Sequence, residues 1–337
     1  MESSIEDISL NLSRSSLDNA SLASTIAEIP ISKLKSLNLS ANPGLTALPR
    51  DVIFVRLERM NMSHCGCTNA MLAALVSQCR GLNNLILVGC GISALPSNIG
   101  ACLNILTLLN VSGNEVNQIP SSAIKLKHLV ELNLSGNRID DSAVKIIRIM
   151  LTTTRLERLY LANNRIGASG AKMLAAGLSC GSALRLLVLT GNSNISDDGT
   201  VSIFTGIASI ASHVELHTLC LEACGISDRV ARSLAAAIRS SFSLRTLCLG
   251  RNRLGDEAIV SLSRALEDQR GLSGITQLDL SDNRLQADSA VALAAAILHN
   301  NALLWLNLAG NDNLMATTRA ATALADGIAR NKVCTSA

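Results

Sequence analysis

The pentapeptide at residues 177–181, Gly-Leu-Ser-Cys-Gly, has the spacing of a nucleophile elbow, the turn that exposes the catalytic serine of many hydrolases. That turn requires a strand before the serine and a helix after it. Here residues 170–178 have apolar side chains at helical spacing, and a strand-like segment begins at Leu184. Because the two elements come in the opposite order, the sequence predicts an ordinary loop from helix to strand and no catalytic residue.

Imidazoles and thiols are the other groups that could do chemistry, as metal ligands. His213, Glu215 and His217 lead into a predicted strand, where residues four apart lie about 13 Å from one another, too far to share one ion. The ten cysteines are scattered, which favours a reducing compartment over a disulfide framework. There is no glycine-rich phosphate loop either. We therefore expect no metal and no cofactor.

Charge and hydropathy exclude further classes of function. The net charge is +3 and no run of Lys and Arg exceeds two residues, so we expect no nucleic acid as a partner. No apolar stretch has the length of a transmembrane helix, and the first residues are too acidic for a secretory signal or transit peptide. The expectation is an intracellular protein, cytoplasmic or nuclear, that binds neither a membrane nor a small-molecule substrate.

A pattern of apolar residues, L-x-x-L-x-L-x-x-N-x-L, recurs along the whole chain. Its clear copies begin at Leu34, Leu106, Leu129, Leu156, Leu184, Leu244, Ile275 and Leu303. Copies beginning at Leu57, Leu82 and Leu216 have cysteine in place of the asparagine, and a degenerate first copy contains Leu10, Leu12 and Leu17. These twelve units start 23 to 32 residues apart, a period typical of repeat proteins.

Over residues 5–331 the pattern resembles that of leucine-rich repeat proteins. The units starting at Leu34, Leu82 and Leu106 contain Leu-Pro or Ile-Pro and are similar to short repeats. The later units are similar to the long repeats of ribonuclease inhibitor and the Ran GTPase activator. The resemblance implies an α/β fold: a curved horseshoe solenoid of about twelve repeats, with a parallel β-sheet on the concave side and helices on the convex side.

Each repeat predicts the same local structure. The alternation L-x-L indicates a short strand with inward leucines, and the following asparagine is expected to bond backbone groups of neighbouring turns as a ladder. Cys65, Cys90 and Cys224 are expected to fill the same buried position. Helices are predicted at 143–151, 170–178, 230–238, 258–266 and 290–298, with Asp141, Ser227, Asp256 and Asp288 near their starts as caps.

These patterns predict one domain over residues 1–337. Residues 1–128 contain mostly shorter repeats, 129–331 contain long repeats with helices, and 332–337 form a tail. Little capping sequence precedes the first repeat or follows the last. Since terminal repeats need a polar outer face, this favours a subunit whose end is covered by a neighbour in a larger assembly.

Function is expected on the strand positions that point away from the leucines. Apolar groups at some of these positions, and Arg, Tyr and Trp at others, are typical of protein-binding surfaces. The predicted partner-binding residues are Ile86, Val88, Leu108, Arg158, Tyr160, Leu186, Val188 and Trp305. The alternative is that the apolar groups only pack against one another and that Trp305 packs against the C-terminal tail.

Two further features of the outward strand face remain open. One is a series of asparagines, interpreted either as a polar filler or as a functional surface, at Asn11, Asn38, Asn61, Asn110 and Asn133. The other is the pair Cys220 and Cys248, at equivalent positions of adjacent predicted strands about 4.8 Å apart. The two thiols are either free or oxidised to a disulfide.

The resemblance leaves two functions to weigh. The first is a non-enzymatic scaffold that binds a protein partner through the concave face or the edge loops. The second is a GTPase-activating protein resembling the Ran activator, whose positioning residue would lie on a loop after a strand, as Arg165, Arg253 and Arg284 do. The acidic tail of that activator family is missing here, so the scaffold is the expected function.

Overall fold

The computed structural model describes residues 7–209, 215–267 and 274–331. The chain divides into two compact units, Met1–Tyr160 and Leu161–Ala337. Two of the sequence-based predictions, for the tail at 332–337 and for His213, lie outside the described residues.

The first unit contains seven parallel strands, each paired with the next one in the chain. They are β1 (Ile8–Asn11), β2 (Leu34–Asn38), β3 (Arg59–Asn61), β4 (Asn84–Ile86), β5 (Leu108–Asn110), β6 (Glu131–Asn133) and β7 (Arg158–Tyr160). The connections contain α1 (Asn19–Ala27), α2 (Asn69–Gln78), α3 (Ile99–Cys102) and α4 (Asp141–Thr153), with 3₁₀ turns at Ile31–Lys33 and Ser121–Lys125.

The second unit repeats the same arrangement with a long helix after every strand. Its strands are β8 (Leu186–Val188), β9 (Thr218–Cys220), β10 (Thr246–Cys248), β11 (Gln277–Asp279) and β12 (Trp305–Asn307), again parallel and in chain order. Its helices are α5 (Ala168–Leu178), α6 (Ser196–Ala208), α7 (Ala231–Ser240), α8 (Asp256–Glu267), α9 (Ala287–His299) and α10 (Thr318–Arg330). Short 3₁₀ turns, Ser193–Ile195 and Asp228–Val230, precede α6 and α7. The twelve predicted strands and the five predicted helices are therefore confirmed.

Three units that contain proline lack a long helix. Residues 39–58, which include Pro49, form no helix, and the four-residue α3 follows Pro96. Only a 3₁₀ turn follows Pro120. The units that contain these prolines start only 23 or 24 residues before the next one, which leaves little room for a long helix, as the similarity to short repeats predicts.

Asparagines after the strands form a ladder that satisfies the backbone of the preceding turn. The Nδ2 of Asn252 donates to the carbonyls of Leu221 and Leu249, both at 2.9 Å. Its Oδ1 accepts from the N–H groups of Cys224 and Ile226, both at 3.1 Å. The Asn252 side chain is buried, so water cannot replace it as the hydrogen-bond partner of these backbone groups.

Three cysteines take the ladder position, as predicted. The Sγ of Cys65 lies 3.1 Å from the carbonyl of Leu39, and that of Cys224 lies 3.3 Å from the carbonyl of Leu189. Cys90 makes the same contact with Met62 at 3.1 Å. The N–H of Cys90 donates to the Oδ1 of Asn114 in the following repeat at 2.9 Å, just as the N–H of Cys224 donates to Asn252, so a turn with a cysteine is bonded by the next repeat like any other turn.

Carboxylates link successive helices, and here the capping prediction needs correction. Asp256 does not serve its own helix: its Oδ1 accepts from the N–H of Gln286 and of Ser289, at the start of α9. Asp228 accepts in the same way from Gly255 and Ala258 at the start of α8. The sequence shows only that an acid lies near a helix start, because the group it caps belongs to the next repeat.

The predicted cap of α4 is also displaced by one residue. The N-cap is Asp140, whose Oδ1 accepts from the N–H groups of Ser142 and Ala143 at 2.9 and 3.2 Å, whereas Asp141 is the first helical residue. The hydroxyl of Ser142 donates to the same carboxylate, and these bonds lower the pKa of Asp140. Ser227, by contrast, caps the turn that begins its own repeat's helix, as predicted.

We predict that Asn252→Ala lowers the free energy of unfolding by about 1–3 kcal/mol, because five hydrogen bonds to buried backbone groups are lost. Asn133→Ala removes only one local bond at a half-buried position and is expected to cost less than about 1 kcal/mol. Urea unfolding followed by circular dichroism measures both. Equal losses would mean that the ladder does not carry the stability assigned to it.

We also predict that Asp256→Ala destabilises the protein by about 1–2 kcal/mol, the usual loss of a helix cap. Glu257→Ala is the matched control. Both acids lie in the first turn of α8 and interact alike with its dipole, but only Asp256 bonds α9. The same urea series should give Glu257→Ala a loss below about 0.5 kcal/mol. If both variants lose the same free energy of unfolding, the hydrogen bonds between Asp256 and α9 do not contribute to stability.

Candidate functional site

Every three-residue strand from β4 to β10 has a buried central leucine between two half-buried residues. The alternation of a β-strand sends the flanking side chains to the opposite face of the sheet. This outward strand face is the surface on which the sequence places partner-binding residues.

The first predicted cluster lies in the first unit. Ile86 and Leu108 are half-buried on neighbouring strands but are not directly opposite, since Ile86 pairs with Asn110 and Leu108 pairs with Asn84. Val88 follows two residues after Ile86 and is also half-buried. The three side chains form a diagonal apolar strip edged by amides.

The asparagines of the outward face have a structural task that the sequence did not reveal. Each accepts, through Oδ1, the backbone N–H two residues later: Ser40 donates to Asn38, Ser63 to Asn61, and Ser135 to Asn133, at 3.0–3.1 Å. These local bonds close the turn at the end of each strand. The Asn-Ser series is therefore accounted for without a partner.

Arg158 and Tyr160 lie on β7, the last strand of the first unit. The Nε of Arg158 donates to the Oε2 of Glu131 on β6 at 2.8 Å, and this bond raises the pKa of the guanidinium. Tyr160 is half-buried and pairs across the sheet with Asn133. The Nη1 of the same guanidinium lies 4.0 Å from the Oε2 of Glu157, so two carboxylates hold the arginine side chain.

Leu186 and Val188 lie on β8 of the second unit, and both are half-buried. Their neighbours on β9 are Thr218 and Cys220 respectively. On the outward strand face of the second unit, each of these aliphatic residues of β8 is therefore next to a small, weakly polar residue of β9.

Trp305 is the most exposed of the predicted binding residues. It begins β12, pairs with Gln277 on β11, and 38% of its surface is accessible to solvent. The adjacent Leu304 is also exposed. The alternative interpretation, packing against the tail, concerns residues outside those described.

A groove that the sequence did not reveal lies at the edge where the strands of the first unit begin. It is lined by Val55, Arg56, Glu58, Gly81, Asn83 and Ile105. Val55 is 72% exposed and Ile105 is 44% exposed, and Gly81, lacking a side chain, lies beside the Val55 carbonyl. Val55, Arg56, Gly81 and Ile105 come just before successive repeats, so the groove joins residues that are far apart in the chain and are brought together by the fold.

The enzyme-like motifs do not form sites. Ser179 follows α5, and its hydroxyl donates to the carbonyl of Ala175 at 3.0 Å, as in an ordinary helix end. Glu215 lies 3.4 Å from the Arg185 guanidinium in an exposed ion pair. Within the described ranges, no group of three or more metal-binding side chains occurs and no helix is long and apolar enough to cross a membrane.

The nine described cysteines are all free. Burial raises the pKa of Cys67, Cys79 and Cys224 to about 12, so their thiolates are absent at neutral pH. Cys220 and Cys248 differ, because both lie half-buried on the outward face with their sulfur atoms 3.5 Å apart.

Comparison with known proteins identifies the repeat. Residues 125–145, 154–175, 240–263 and 275–294 match the family model "Leucine Rich repeat". Ribonuclease inhibitor of Sus scrofa is 30% identical over 139 residues, which cover 40% of this chain and 30% of the inhibitor. The chain thus spans less than a third of that relative's length.

Solved structures show a similar fold. The mouse RP105/MD-1 complex gives a TM-score of 0.57 at 21% identity, over 87% of this chain and 48% of that one. An internalin (inlF) of Listeria monocytogenes gives 0.53 at 20% identity, over 82% and 81%. At these identities the likeness concerns the fold alone.

The thiols provide a check of the two strand faces. At pH 8 a small alkylating reagent is expected to label Cys102, Cys180, Cys220 and Cys248 of the native protein, because these side chains reach solvent. The five buried cysteines should react only after unfolding. Peptide mass spectrometry at timed intervals measures this, and labelling of Cys65 or Cys90 as fast as Cys180 would contradict the assignment.

Proposed function

We propose that the chain, which is a leucine-rich repeat protein, is a non-enzymatic scaffold that binds a protein partner. The observation that carries the proposal is the exposure of Trp305 on an outward strand position. Burying a large ring stabilises a protein by a few kcal/mol, so an exposed tryptophan is more readily explained by a partner than by folding.

The remaining predicted residues support the same proposal. Ile86, Val88, Leu108, Leu186 and Val188 bring aliphatic groups to the outward strand face, where solvent-facing apolar clusters are typical of interaction sites. Arg158, held by Glu131, adds a positioned cation next to Tyr160. Arg, Tyr and Trp are the residue types most often found at the energetic centre of interfaces.

The edge groove is the second surface on which we propose that a partner can bind. Val55 and Ile105 supply apolar contact, while Arg56 and Glu58 lie in an ion-pair network with Asp7 and Lys35. A groove with apolar sides and charged neighbours suits an extended peptide segment of a partner. Mutations on the two surfaces can distinguish them.

We further propose that the protein works inside the cell as part of a larger assembly. The ten cysteines are scattered along the chain and do not have the clustering of a disulfide framework, which favours a reducing compartment. Leu10 and Leu12 of the first repeat are only half-buried, whereas the equivalent Leu37 and Leu39 are buried, and Leu308 of the last repeat is half-buried, whereas the equivalent Leu280 is buried. A neighbouring subunit that covers these side chains would complete the burial.

GTPase activation is the alternative. Arg165, Arg253 and Arg284 are exposed on loops after strands, but the Nη2 of Arg253 donates to the carbonyl of Gly225 at 3.3 Å, which holds it against the protein. A hydrolysis assay with a panel of small GTPases separates the functions. If the wild-type chain accelerates GTP hydrolysis and Arg253→Ala or Arg284→Ala abolishes the acceleration, the function is GTPase activation and the scaffold proposal is wrong.

We predict that Tyr160→Ala and Trp305→Ala each weaken partner binding by at least about tenfold, since hot-spot side chains contribute about 2 kcal/mol or more. The partner is first identified by affinity purification and mass spectrometry from native cells and is then titrated against each variant. Ile149→Ala and Phe242→Ala are the controls, because these residues are 38% and 66% exposed but lie off the strands.

The same titration includes a double variant of the edge groove, Val55→Ser with Ile105→Ser. Loss of binding in this variant alone would move the site to the edge. Full binding by every variant, with unchanged melting temperatures, would contradict both proposed surfaces.

A further inference from the structure

Cys220 and Cys248 are the two thiols whose placement nothing in the fold explains. The buried cysteines of the ladder donate to backbone carbonyls, as Cys65 does to Leu39. Cys220 and Cys248 instead lie on the outward strand face, and the contact of 3.5 Å joins their two sulfur atoms. At the equivalent position the other ten strands have Asn, Asp, Ile, Val or Tyr, none of which carries a reactive sulfur.

The backbone geometry of the pair suits a disulfide. The two residues are direct register partners in the parallel strands β9 and β10. Neighbouring strands lie about 4.8 Å apart, within the roughly 4.4–6.8 Å between Cα atoms that disulfides span. Both side chains already point to the same face, so rotation about the Cα–Cβ bonds is enough to bring the sulfur atoms from 3.5 Å to bonding distance.

The surroundings leave the pair accessible. Gly250, two residues after Cys248 on the same face, has no side chain to cover the sulfur, and Thr218 and Thr246 on the other side are small. Val188 and Asp279 are the register neighbours on β8 and β11. The Asp279 carboxylate is occupied by the N–H and hydroxyl of Ser281, at 2.9 and 2.7 Å.

The two thiols also differ in their ease of ionisation. Hydrogen bonding from the S–H of Cys248 stabilises the Cys220 thiolate and lowers the pKa of Cys220, while burial and the carboxylates of Glu222 and Asp279 oppose this. The same bond raises the pKa of Cys248, together with burial. With the sulfur atoms 3.5 Å apart, one thiolate can form while the neighbouring thiol keeps its proton, the arrangement expected of an attacking and a resolving cysteine.

We propose that Cys220 and Cys248 are a reversible thiol–disulfide pair that is oxidised by small-molecule disulfides such as oxidised glutathione. The Cys220 thiolate attacks one sulfur of the reagent, forms a mixed disulfide and releases one thiolate. Cys248 then loses its proton to solvent, attacks the Cys220 sulfur and releases the second thiolate. Two electrons pass from the pair to the reagent, and two molecules of thiol leave. This assignment does not depend on the proposed partner.

The test uses the full chain, equilibrated in buffers of graded reduced and oxidised glutathione, quenched with acid and alkylated. Trypsin releases Cys248 alone in the peptide Thr246–Arg251 and Cys220 in Leu186–Arg229. The expected result is a disulfide between these two peptides, with fragment ions placing it on Cys220 and not on Cys224. The link should disappear on return to reduced glutathione.

Two internal controls accompany the measurement. Cys65 and Cys90 also lie on successive repeats but are buried, and we expect both to stay reduced throughout. Cys180 is exposed without a close thiol and should take up only a glutathione adduct. Cys248→Ser should leave Cys220 in a mixed disulfide with glutathione, because the resolving thiol is missing.

The outcome is decided on the wild-type protein even if a serine variant fails to fold. A mapped link between Cys220 and Cys248, formed at a lower fraction of oxidised glutathione than the Cys180 adduct, supports the proposal. Glutathione adducts on both cysteines without a link, or both thiols alkylatable when Cys180 is already modified, would overturn it.

Discussion

The structure depends on the need of every buried turn for hydrogen-bond partners. A chain that turns after three residues of strand leaves N–H and C=O groups inside the protein, and water does not reach them. The ladder side chains meet this need: Asn252 alone bonds five backbone groups of two successive turns. The leucines supply the burial, but without the ladder the same burial would leave polar groups without partners, at about 1–3 kcal/mol each.

The outward face follows from this constraint. Because the leucines and the ladder use one side of every strand, the other side is free to vary, and it contains residues as different as Leu108, Tyr160, Cys220 and Trp305. Some positions of the outward face also have a structural role. Asparagines such as Asn38 and Asn133 close the strand ends through their own backbone, so a polar surface residue in this fold is not by itself a sign of binding.

Much of the fold could be predicted from the sequence because every repeat has the same spacing of apolar residues and the same kind of residue after the strand. The spacing of Leu106, Leu109 and Val111 predicts a strand, and the 23 residues between the repeats that begin at Leu106 and Leu129 leave little room for a long helix. The caps show the limit of such reasoning. Asp256 lies in the first turn of one helix but bonds the next, and no local pattern distinguishes these cases. The groove beside Gly81 was missed because it results from an absent side chain between two distant residues. Which side chains bind a partner depends on a second molecule, about which one chain holds no information.

The side chains that join successive repeats point in opposite directions along the chain. Asn252 reaches back to the turn of the preceding repeat, whereas Asp256 reaches forward to the helix of the following one. The repeat that contains Asn252 and Asp256 thus bonds its predecessor through an amide and its successor through a carboxylate, and Asp197 and Asp228 make the same forward contact from the two repeats before it. When a gene duplication inserts one whole such repeat, every offered group meets an equivalent acceptor or donor. An insertion of half a repeat leaves both without partners. Chains of this kind can therefore grow or shrink by whole repeats while staying folded, which gives evolution a simple means of changing the length of the outward face.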